Sequence, residues 1–223
     1  MEIMAEKPDN YWDLAIVDPP YGINMDRQIG GCRKNTFKKQ ITKSWDKFPP
    51  TKEYFKELFR VSKNQIIWGG NYFADLLPAK SCWIVWDKVN GGSDQADCEL
   101  AWTSFNSAVR QIEYMWCIAQ GVSSKNGRTA QGNNKLWEKK LHPTQKPAIV
   151  YKWLLKNYAK PEFKLLDTHG GSMSSVIAGY DFGIAEMVCT EIDKEYFDAG
   201  VKRVMNHVAQ LNMYVKRPEI IIN

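Results

Sequence analysis

The chain has 223 residues, of which 44% are hydrophobic, and a formal net charge of +5; these totals allow one sizeable core and favour a single domain over residues 1–223. Because no run of 18 apolar residues occurs and the first ten residues are polar, we expect a cytoplasmic protein without a membrane span or secretion signal. The five cysteines and three histidines lie far apart, which suggests neither a disulfide framework nor a zinc site.

Short apolar runs alternate with segments of helical periodicity along the chain. Strands are predicted at 14–17, 65–68, 82–86, 100–102, 111–116, 164–166 and 187–189, and the final run 219–222 could add one more. Helices are predicted to begin after Thr51, at Pro147 and at Lys194. This alternation predicts an α/β domain whose sheet is largely parallel, with helices on both faces.

Two segments interrupt the alternation, and each has a net charge of +5. Residues 22–47 hold seven basic residues against two acidic ones, and residues 120–146 hold six against one. Both segments are rich in small polar residues and lack a clear period, so we predict long loops there. Such concentrated charge suits a polyanion, although lysine-rich loops are also common as plain solvated surface.

Three acidic residues follow predicted strands: Asp18, Asp167 and Glu191. The carboxyl ends of parallel strands share one edge of the sheet, where ligands of open α/β folds bind, so we expect the three carboxylates to face one crevice. Gly170 and Gly171, with Glu191 about 20 residues later, fit the Gly-rich turn and ribose acid of a dinucleotide fold. The same two glycines also fit an ordinary turn between a strand and a helix.

The run Asp18-Pro19-Pro20-Tyr21 is the most specific pattern in the chain. Two consecutive prolines fix φ and remove two amide donors, so the backbone is stiff and its carbonyls are free to accept. Asp18 and the Pro19 carbonyl could together accept both hydrogens of one exocyclic amine, while Tyr21 could stack on a flat heterocycle. Alternatively, the prolines simply end the strand and Tyr21 packs in the core.

These motifs together resemble those of the DNA amino-methyltransferases. Residues 18–21 resemble the catalytic motif, 142–147 the segment before the cofactor loop, 167–175 that loop, and 191–193 its ribose-binding acid. The order, with the catalytic motif first, is that of the circularly permuted β group. Residues 68–72, 83–88 and 99–102 are also similar to stretches of phage-type and bacterial adenine methyltransferases. The family has a glycine where Met173 stands, and a glycine there permits close backbone approach or unusual torsions.

The resemblance implies a Rossmann-like methyltransferase domain that transfers a methyl group from S-adenosylmethionine to adenine N6, on a base flipped out of double-stranded DNA. It assigns catalysis to Asp18, Pro19, Pro20 and Tyr21. It implies a cofactor site formed by Asp18, Thr144, Gln145, Lys146, Asp167, His169, Gly170, Gly171, Ser172 and Glu191. His169 would lie near the sulfonium or pack at the start of a helix.

Phosphate contacts are expected from the basic segments, which predicts a steep dependence of DNA affinity on salt. The expected DNA-binding residues are Arg27, Arg33, Lys34, Lys38, Lys39, Lys43 and Arg128. The resemblance places a small target-recognition insert at residues 120–141, in which Arg128 and Asn133 could read bases. Trp45 either fills the vacated base stack or anchors its loop.

Three alternatives remain open at the level of sequence. Cytosine N4 is the nearest; that group more often has serine in place of Asp18, so Asp18 favours adenine. An NAD-linked α/β oxidoreductase would explain the Gly-rich turn but neither residues 18–21 nor the basic segments. A catalytically inert DNA-binding protein on the same scaffold is motivated by Met173. No metal is expected, and a homodimer or a separate restriction endonuclease could be partners.

Overall fold

The computed structural model describes residues 1–23, 46–89, 96–115 and 144–211, which form a seven-stranded sheet flanked by helices. The strands are β1 (Trp12–Val17), β2 (Ser62–Trp68), β3 (Trp83–Asp87), β4 (Cys98–Thr103), β5 (Arg110–Glu113), β6 (Lys164–Asp167) and β7 (Glu186–Cys189). The helices are α1 (Glu2–Ala5), α2 (Lys52–Val61), α3 (Ala148–Tyr158), α4 (Ser174–Phe182) and α5 (Lys194–Leu211), with a 3-10 turn at Gly70–Tyr72.

The strands follow the order β5-β3-β4-β2-β1-β6-β7 across the sheet. The pairs β1–β2, β1–β6, β6–β7 and β3–β5 are parallel, whereas β4 runs antiparallel to both β2 and β3. Every strand except β4 therefore ends at one edge of the sheet, which we call the carboxyl edge, and β4 begins there. The predicted largely parallel sheet is confirmed.

Alternate residues of the central strand β1 anchor two hydrophobic layers, because successive side chains of a strand point to opposite faces. Leu14 and Ile16 pack with residues of α3 and α4 such as Leu154 on one face. Ala15 and Val17 pack with residues of α2 on the other. Burial of one such aliphatic side chain contributes roughly 1.5–3 kcal/mol. The predicted arrangement of helices on both faces is confirmed.

Three helices begin where their sequence signals predict. The Thr51 hydroxyl accepts a hydrogen bond from the Tyr54 amide at 3.4 Å and caps α2, and Pro147 immediately precedes α3. At the start of α5, Asp193 accepts from the amides of the next helical turn at 3.0 and 3.1 Å. The α4 helix lacks a one-sided apolar stripe because most of its residues are buried, so periodicity alone did not indicate it.

Other sequence predictions are met in part or fall outside the described ranges. The strand predicted at 111–116 ends at Glu113, and the run at 219–222 lies outside the described residues. None of the helices in the described part of the chain is both long and apolar enough to cross a bilayer.

Candidate active site

The carboxyl edge brings together residues that are distant in sequence. Asp18 follows β1, Asp167 ends β6, and Glu191 lies two residues beyond the end of β7. The charges of both Asp18 and Glu191 raise the pKa of Asp167, although burial of that carboxyl is the larger cause, so the three acids lie within electrostatic range of one another. The predicted grouping of these acids at one edge is confirmed.

The Pro-Pro corner folds Tyr21 back over Asp18. The Tyr21 hydroxyl donates a hydrogen bond of 2.8 Å to Asp18 Oδ1, and its ring stacks on Tyr72 with centroids 4.8 Å apart and an interplanar angle of 15°. Gly69 has a φ of +69°, and a Cβ atom there would lie only 2.2 Å from the Tyr21 ring. Glycine is therefore required at this position on two grounds. Both Asp18 and Tyr21 remain partly exposed, while Pro19 is buried.

Lys146 occupies the centre of this corner. Its Nζ lies 2.6 Å from Asp18 Oδ2 and 3.0 Å from Glu99 Oε2, and its side chain is only 3% exposed. The same Nζ donates to the Tyr21 hydroxyl at 3.1 Å. The resemblance assigned Lys146 to the cofactor, and its position in the basic segment 120–146 suggested a surface cation. In the structure its ammonium group lies against Asp18 and is buried.

Burial and pairing set the charge of each group in the corner. Burial raises the pKa of Asp18, and the Lys146 ammonium opposes that rise and favours the carboxylate. Burial opposes the charge on Lys146, but Asp18 and Glu99 outweigh it and raise the pKa of the lysine. Burial and the neighbouring carboxylates hold the pKa of Tyr21 well above its ordinary value, so its hydroxyl stays a proton donor at neutral pH.

The loop after β6 is organised by Asp167. Its Oδ1 accepts from the His169 amide at 3.0 Å, and its Oδ2 accepts from the Ser175 hydroxyl at 2.5 Å. Burial raises the pKa of Asp167 to about 6. Because Asp167 is only 1% exposed, the prediction that its carboxylate faces the crevice is wrong. Its buried side chain fixes the conformation of the loop through these two hydrogen bonds.

Glu191 joins this loop to the chain after β7. Its Oε2 accepts from the Gly171 amide at 2.7 Å, and its Oε1 accepts from the Asp193 amide at 2.9 Å. The side chain is partly exposed, and each carboxylate oxygen has a further lone pair. Next to it, Ile192 is 97% exposed, an unusual position for an isoleucine. This part of the carboxyl edge thus offers two carboxylate oxygens as acceptors beside an apolar side chain.

His169 is a neutral imidazole in this setting. Its Nδ1 lies 2.9 Å from the Thr168 hydroxyl, which is 2.7 Å from the Tyr54 hydroxyl, and the Tyr54 ring meets the imidazole edge-on at 5.5 Å. Burial, helped by the positive chain terminus, lowers the pKa of His169 to about 4. The ring therefore carries no charge at neutral pH, so it would not repel a neighbouring cation.

The other residues predicted to bind the cofactor are Gly170, Ser172, Gln145 and Thr144, and they differ in burial and in hydrogen bonding. The Gly170 amide donates to the Thr190 carbonyl at 2.7 Å, which ties the loop to the end of β7. Ser172 is buried, with its hydroxyl 3.2 Å from that of Ser174. Gln145 is buried at 4% exposure, whereas Thr144 is partly exposed.

Met173 adopts the backbone conformation that glycine favours. Its φ is +57° and its side chain is 4% exposed, so the position has an unusual torsion that glycine adopts more easily. The methionine packs against Gly200 of α5: a Cβ atom at Gly200 would lie 2.8 Å from Met173 Cγ and 3.3 Å from the Gly171 carbonyl oxygen. Gly200 thus makes room for the side chain that replaces the expected glycine.

This pairing predicts that Gly200→Ala destabilises the protein. Alanine favours a helix by about 1 kcal/mol over glycine, but overpacking against Met173 should cost ~1–3 kcal/mol. In Met173→Gly/Gly200→Ala the new methyl group no longer meets the methionine, so a double-mutant cycle should give a coupling of about 1 kcal/mol or more. Denaturant unfolding of all four proteins measures it, and strict additivity would contradict the account.

Comparison with known proteins agrees with this geometry. No protein-family model matches the chain. The sequence is 23% identical over 267 residues to the Type II methyltransferase M.HinfI of Haemophilus influenzae, covering 99% of this chain and 72% of that protein. Over nearly its whole length, the chain is thus similar in sequence to a known methyltransferase.

Two solved structures show the same fold. The crystal structure of the M1.HpyAVI-SAM complex matches with a TM-score of 0.55 at 18% identity, covering 87% of this chain and 89% of that one. The cytosine-N4-specific PvuII DNA methyltransferase matches with a TM-score of 0.53 at 11% identity, covering 94% and 88%. The α/β domain therefore has the fold of the S-adenosylmethionine-dependent methyltransferases, as the sequence predicted.

Four residues near the site belong to stretches that resemble the methyltransferase motifs, but the sequence predicted no individual role for them. Glu99 and Lys88 form an ion pair at the carboxyl edge, Tyr72 stacks on Tyr21, and Ile192 lies exposed beside Glu191. A charged residue opening an otherwise apolar strand was the available signal for Glu99. Its placement depends on the reversed direction of β4, which periodicity does not reveal.

The predicted DNA contacts and base readers lie outside the described residues. These are Arg27, Arg33, Lys34, Lys38, Lys39, Lys43, Arg128, Asn133 and Trp45, together with the proposed recognition insert at 120–141. The ends of the first basic segment are described: the Gly22 amide donates to Asp46 Oδ1 at 2.9 Å, and Asp46 is 2% exposed. This hydrogen bond joins the two ends of the segment beside the Pro-Pro corner.

Proposed function

We propose that the protein is a DNA methyltransferase that transfers a methyl group from S-adenosylmethionine to the N6 amino group of adenine. One observation carries the proposal: the Asp18–Tyr21 corner lies at the same sheet edge as the Glu191 loop. An acceptor for an amine and an acceptor for a ribose are thereby close together. Sequence similarity to M.HinfI along 99% of the chain supports the reaction class.

The cofactor fits the features of the loop after β6. Glu191 would accept from the ribose hydroxyls, as acids after a sheet strand do in dinucleotide folds. Ile192, 97% exposed beside it, offers an apolar face for a flat adenine ring. His169 and the Gly170–Ser172 turn would line the methionine end, where a neutral imidazole suits a sulfonium. When bound, the cofactor supplies an electrophilic methyl group.

Asp18 would orient the acceptor amine. It accepts one hydrogen of the amine, the Pro19 carbonyl accepts the other, and the nitrogen lone pair then points at the methyl group. With its lone pair so directed, the nitrogen would bond to the methyl group as the bond between that methyl and sulfur breaks, and the nitrogen would then release one proton to water. Tyr21 would stack on the extruded base, which is worth roughly 1–3 kcal/mol and offsets part of the cost of flipping.

Two substrates fit this corner, since adenine N6 and cytosine N4 are both exocyclic amines. PvuII DNA methyltransferase, which shares the fold, is cytosine-N4-specific. Asp18 supports adenine, because the cytosine-N4 group more often has serine at that position. The catalytic-first order of the motifs fits the permuted β group, and the two basic segments would bind the DNA phosphates.

Expression in a methylation-deficient bacterial host tests the proposal. Sequencing the host DNA with modification-sensitive reads should reveal N6-methyladenine at one recurring sequence, and an empty-vector strain provides the control. N4-methylcytosine at a recurring site would replace adenine by cytosine as the substrate. Unmodified DNA from cells that contain soluble protein would contradict the proposed reaction and favour the inert DNA-binding alternative.

A further inference from the structure

Four side chains of alternating charge form a continuous chain that ends on Asp18. Lys88 Nζ lies 2.6 Å from Glu99 Oε1, Glu99 Oε2 lies 3.0 Å from Lys146 Nζ, and Lys146 Nζ lies 2.6 Å from Asp18 Oδ2. The side chains of Lys88, Glu99, Lys146 and Asp18 are 17%, 24%, 3% and 17% exposed. We call this set the charge chain.

The charge chain is assembled from four separate parts of the fold. Asp18 follows β1, Lys88 follows β3, Glu99 lies at the start of β4, and Lys146 precedes α3. Glu99 reaches the carboxyl edge because β4 is the reversed strand, and in the sheet it pairs with Trp86 of β3. The Lys88 ammonium also lies 5.5 Å from the centre of the Trp86 ring. Each of the four residues is thus positioned by a different element of the fold.

Stability alone does not explain Glu99. Asp18 and Lys146 already neutralise each other, and Glu99 adds a second desolvated carboxylate that then requires Lys88. Burying charge is costly, and well-packed apolar residues in place of buried ion pairs are often neutral or stabilising. Moreover, Glu99 Oε2 lies 3.0 Å from Lys146 Nζ, and its negative charge helps to raise the pKa of that lysine. Its attraction acts on the position of the ammonium group.

We propose that Glu99 is a positioning residue for methyl transfer, which acts by holding the Lys146 ammonium on one oxygen of Asp18, and that Lys88 supports Glu99. This inference rests on the proposed function of the same corner. Tyr21 occupies Asp18 Oδ1 and Lys146 occupies Oδ2. Each oxygen then keeps one lone pair for the substrate amine. An ammonium released from Glu99 could turn across both oxygens and compete with the amine.

Lys146 itself is not the base in this scheme. Asp18 and Glu99 outweigh burial and raise the pKa of the lysine, so its nitrogen stays protonated at neutral pH and has no lone pair for a proton. The charge chain therefore orients groups and does not relay the amine proton. A defect in it should appear in the transfer step and leave cofactor affinity unchanged.

Glu99→Gln tests the proposal, since it keeps the shape of the side chain and removes its charge. Single-turnover transfer of a tritiated methyl group to unmethylated DNA should slow by roughly 10- to 100-fold, as expected for a misplaced catalytic group. The dissociation constant of S-adenosylmethionine, from isothermal titration, should stay within about twofold of wild type. Equal losses in both quantities, or none in either, would overturn the positioning role.

The chain offers matched controls. Glu186→Gln removes another glutamate of a lysine pair, since Glu186 lies 3.4 Å from Lys164 at the opposite edge of the sheet. It should leave the transfer rate unchanged. Lys88→Met should slow transfer, and Lys88→Arg should restore it because the charge is kept. If Lys88→Arg transferred the methyl group as slowly as Lys88→Met, a role for the positive charge of Lys88 would be contradicted.

A measurement without substrate separates this inference from the proposed function. Lys146, 3% exposed, should resist amine-reactive labelling in wild type, and mass spectrometry of Glu99→Gln should show labelling at least several-fold faster. Glu186→Gln should keep the protection. Unchanged protection in Glu99→Gln would overturn the inference even if wild type methylates DNA. If wild type transfers no methyl group, the proposed function fails while the labelling still decides whether Glu99 holds Lys146.

Discussion

Replacement of Asp18 by alanine should reduce methyl transfer at least about 1000-fold, because the amine then loses the carboxylate that orients its lone pair. Cofactor affinity should stay nearly constant, since Glu191 and the loop after β6 remain intact. Tritiated-methyl incorporation into unmethylated DNA measures the first quantity, and isothermal titration with S-adenosylmethionine measures the second. Turnover near the wild-type level in Asp18→Ala would show that Asp18 is not a catalytic residue.

Two further variants separate chemistry from folding. Asp18→Asn keeps the shape and an acceptor oxygen but removes the charge that faces Lys146, and it should also be inactive. Asp13→Ala changes an aspartate of the same strand at the opposite edge, where it pairs with Lys63 at 2.7 Å, and should remain active. Circular dichroism should show folded protein in each case. If Asp13→Ala were also inactive, the loss of methyl transfer in the Asp18 variants would have to be attributed to disruption of β1 and not to the Pro-Pro corner.

Replacement of Glu191 by alanine should weaken S-adenosylmethionine binding about 100-fold, equivalent to ~3 kcal/mol for the loss of charge-assisted hydrogen bonds. Part of the loss arises within the protein, because the Gly171 and Asp193 amides lose their acceptor. The loop and the end of β7 would then no longer be joined there. Isothermal titration measures the change directly.

The control for Glu191 is Asp198→Ala, an acid of α5 whose side chain is 58% exposed. It removes one negative charge from the same region of the chain but lies on the helix surface, where it pairs with Lys194 at 3.0 Å. Its affinity for the cofactor should match wild type. Equal weakening in both variants would show that long-range charge, and not the ribose contact, governs binding.

Local patterns in the sequence predicted the framework of the fold well. The apolar run at 14–17 and the Asp18-Pro-Pro corner after it determine both a strand and the place where it stops, since the prolines lack amide hydrogens. Thr51 and Pro147 mark helix starts through capping and a fixed φ. Because parallel strands end at a common edge, the grouping of Asp18, Asp167 and Glu191 followed from the strands themselves.

Features that depend on strand direction or on tertiary packing were not predictable. Glu99 reaches the site only because β4 is reversed, and Lys146, counted among loop cations, is drawn inward by two carboxylates. Asp167 looked like a crevice residue, yet its oxygens satisfy the His169 amide and the Ser175 hydroxyl. The contact between Met173, which precedes α4, and Gly200 of α5 joins residues far apart in sequence, so no local sequence pattern predicts it.

The contact between the Gly22 amide and Asp46 has an evolutionary consequence. Because the two ends of this segment are hydrogen-bonded to each other, its length can change at a small free-energy cost. Doubling the length of a loop adds only ~0.6 kcal/mol of closure entropy. Insertions, deletions and rewritten sequence between positions 22 and 46 should thus be tolerated by the sheet. The phosphate contacts proposed for this segment can therefore change in evolution while the reaction centre stays the same.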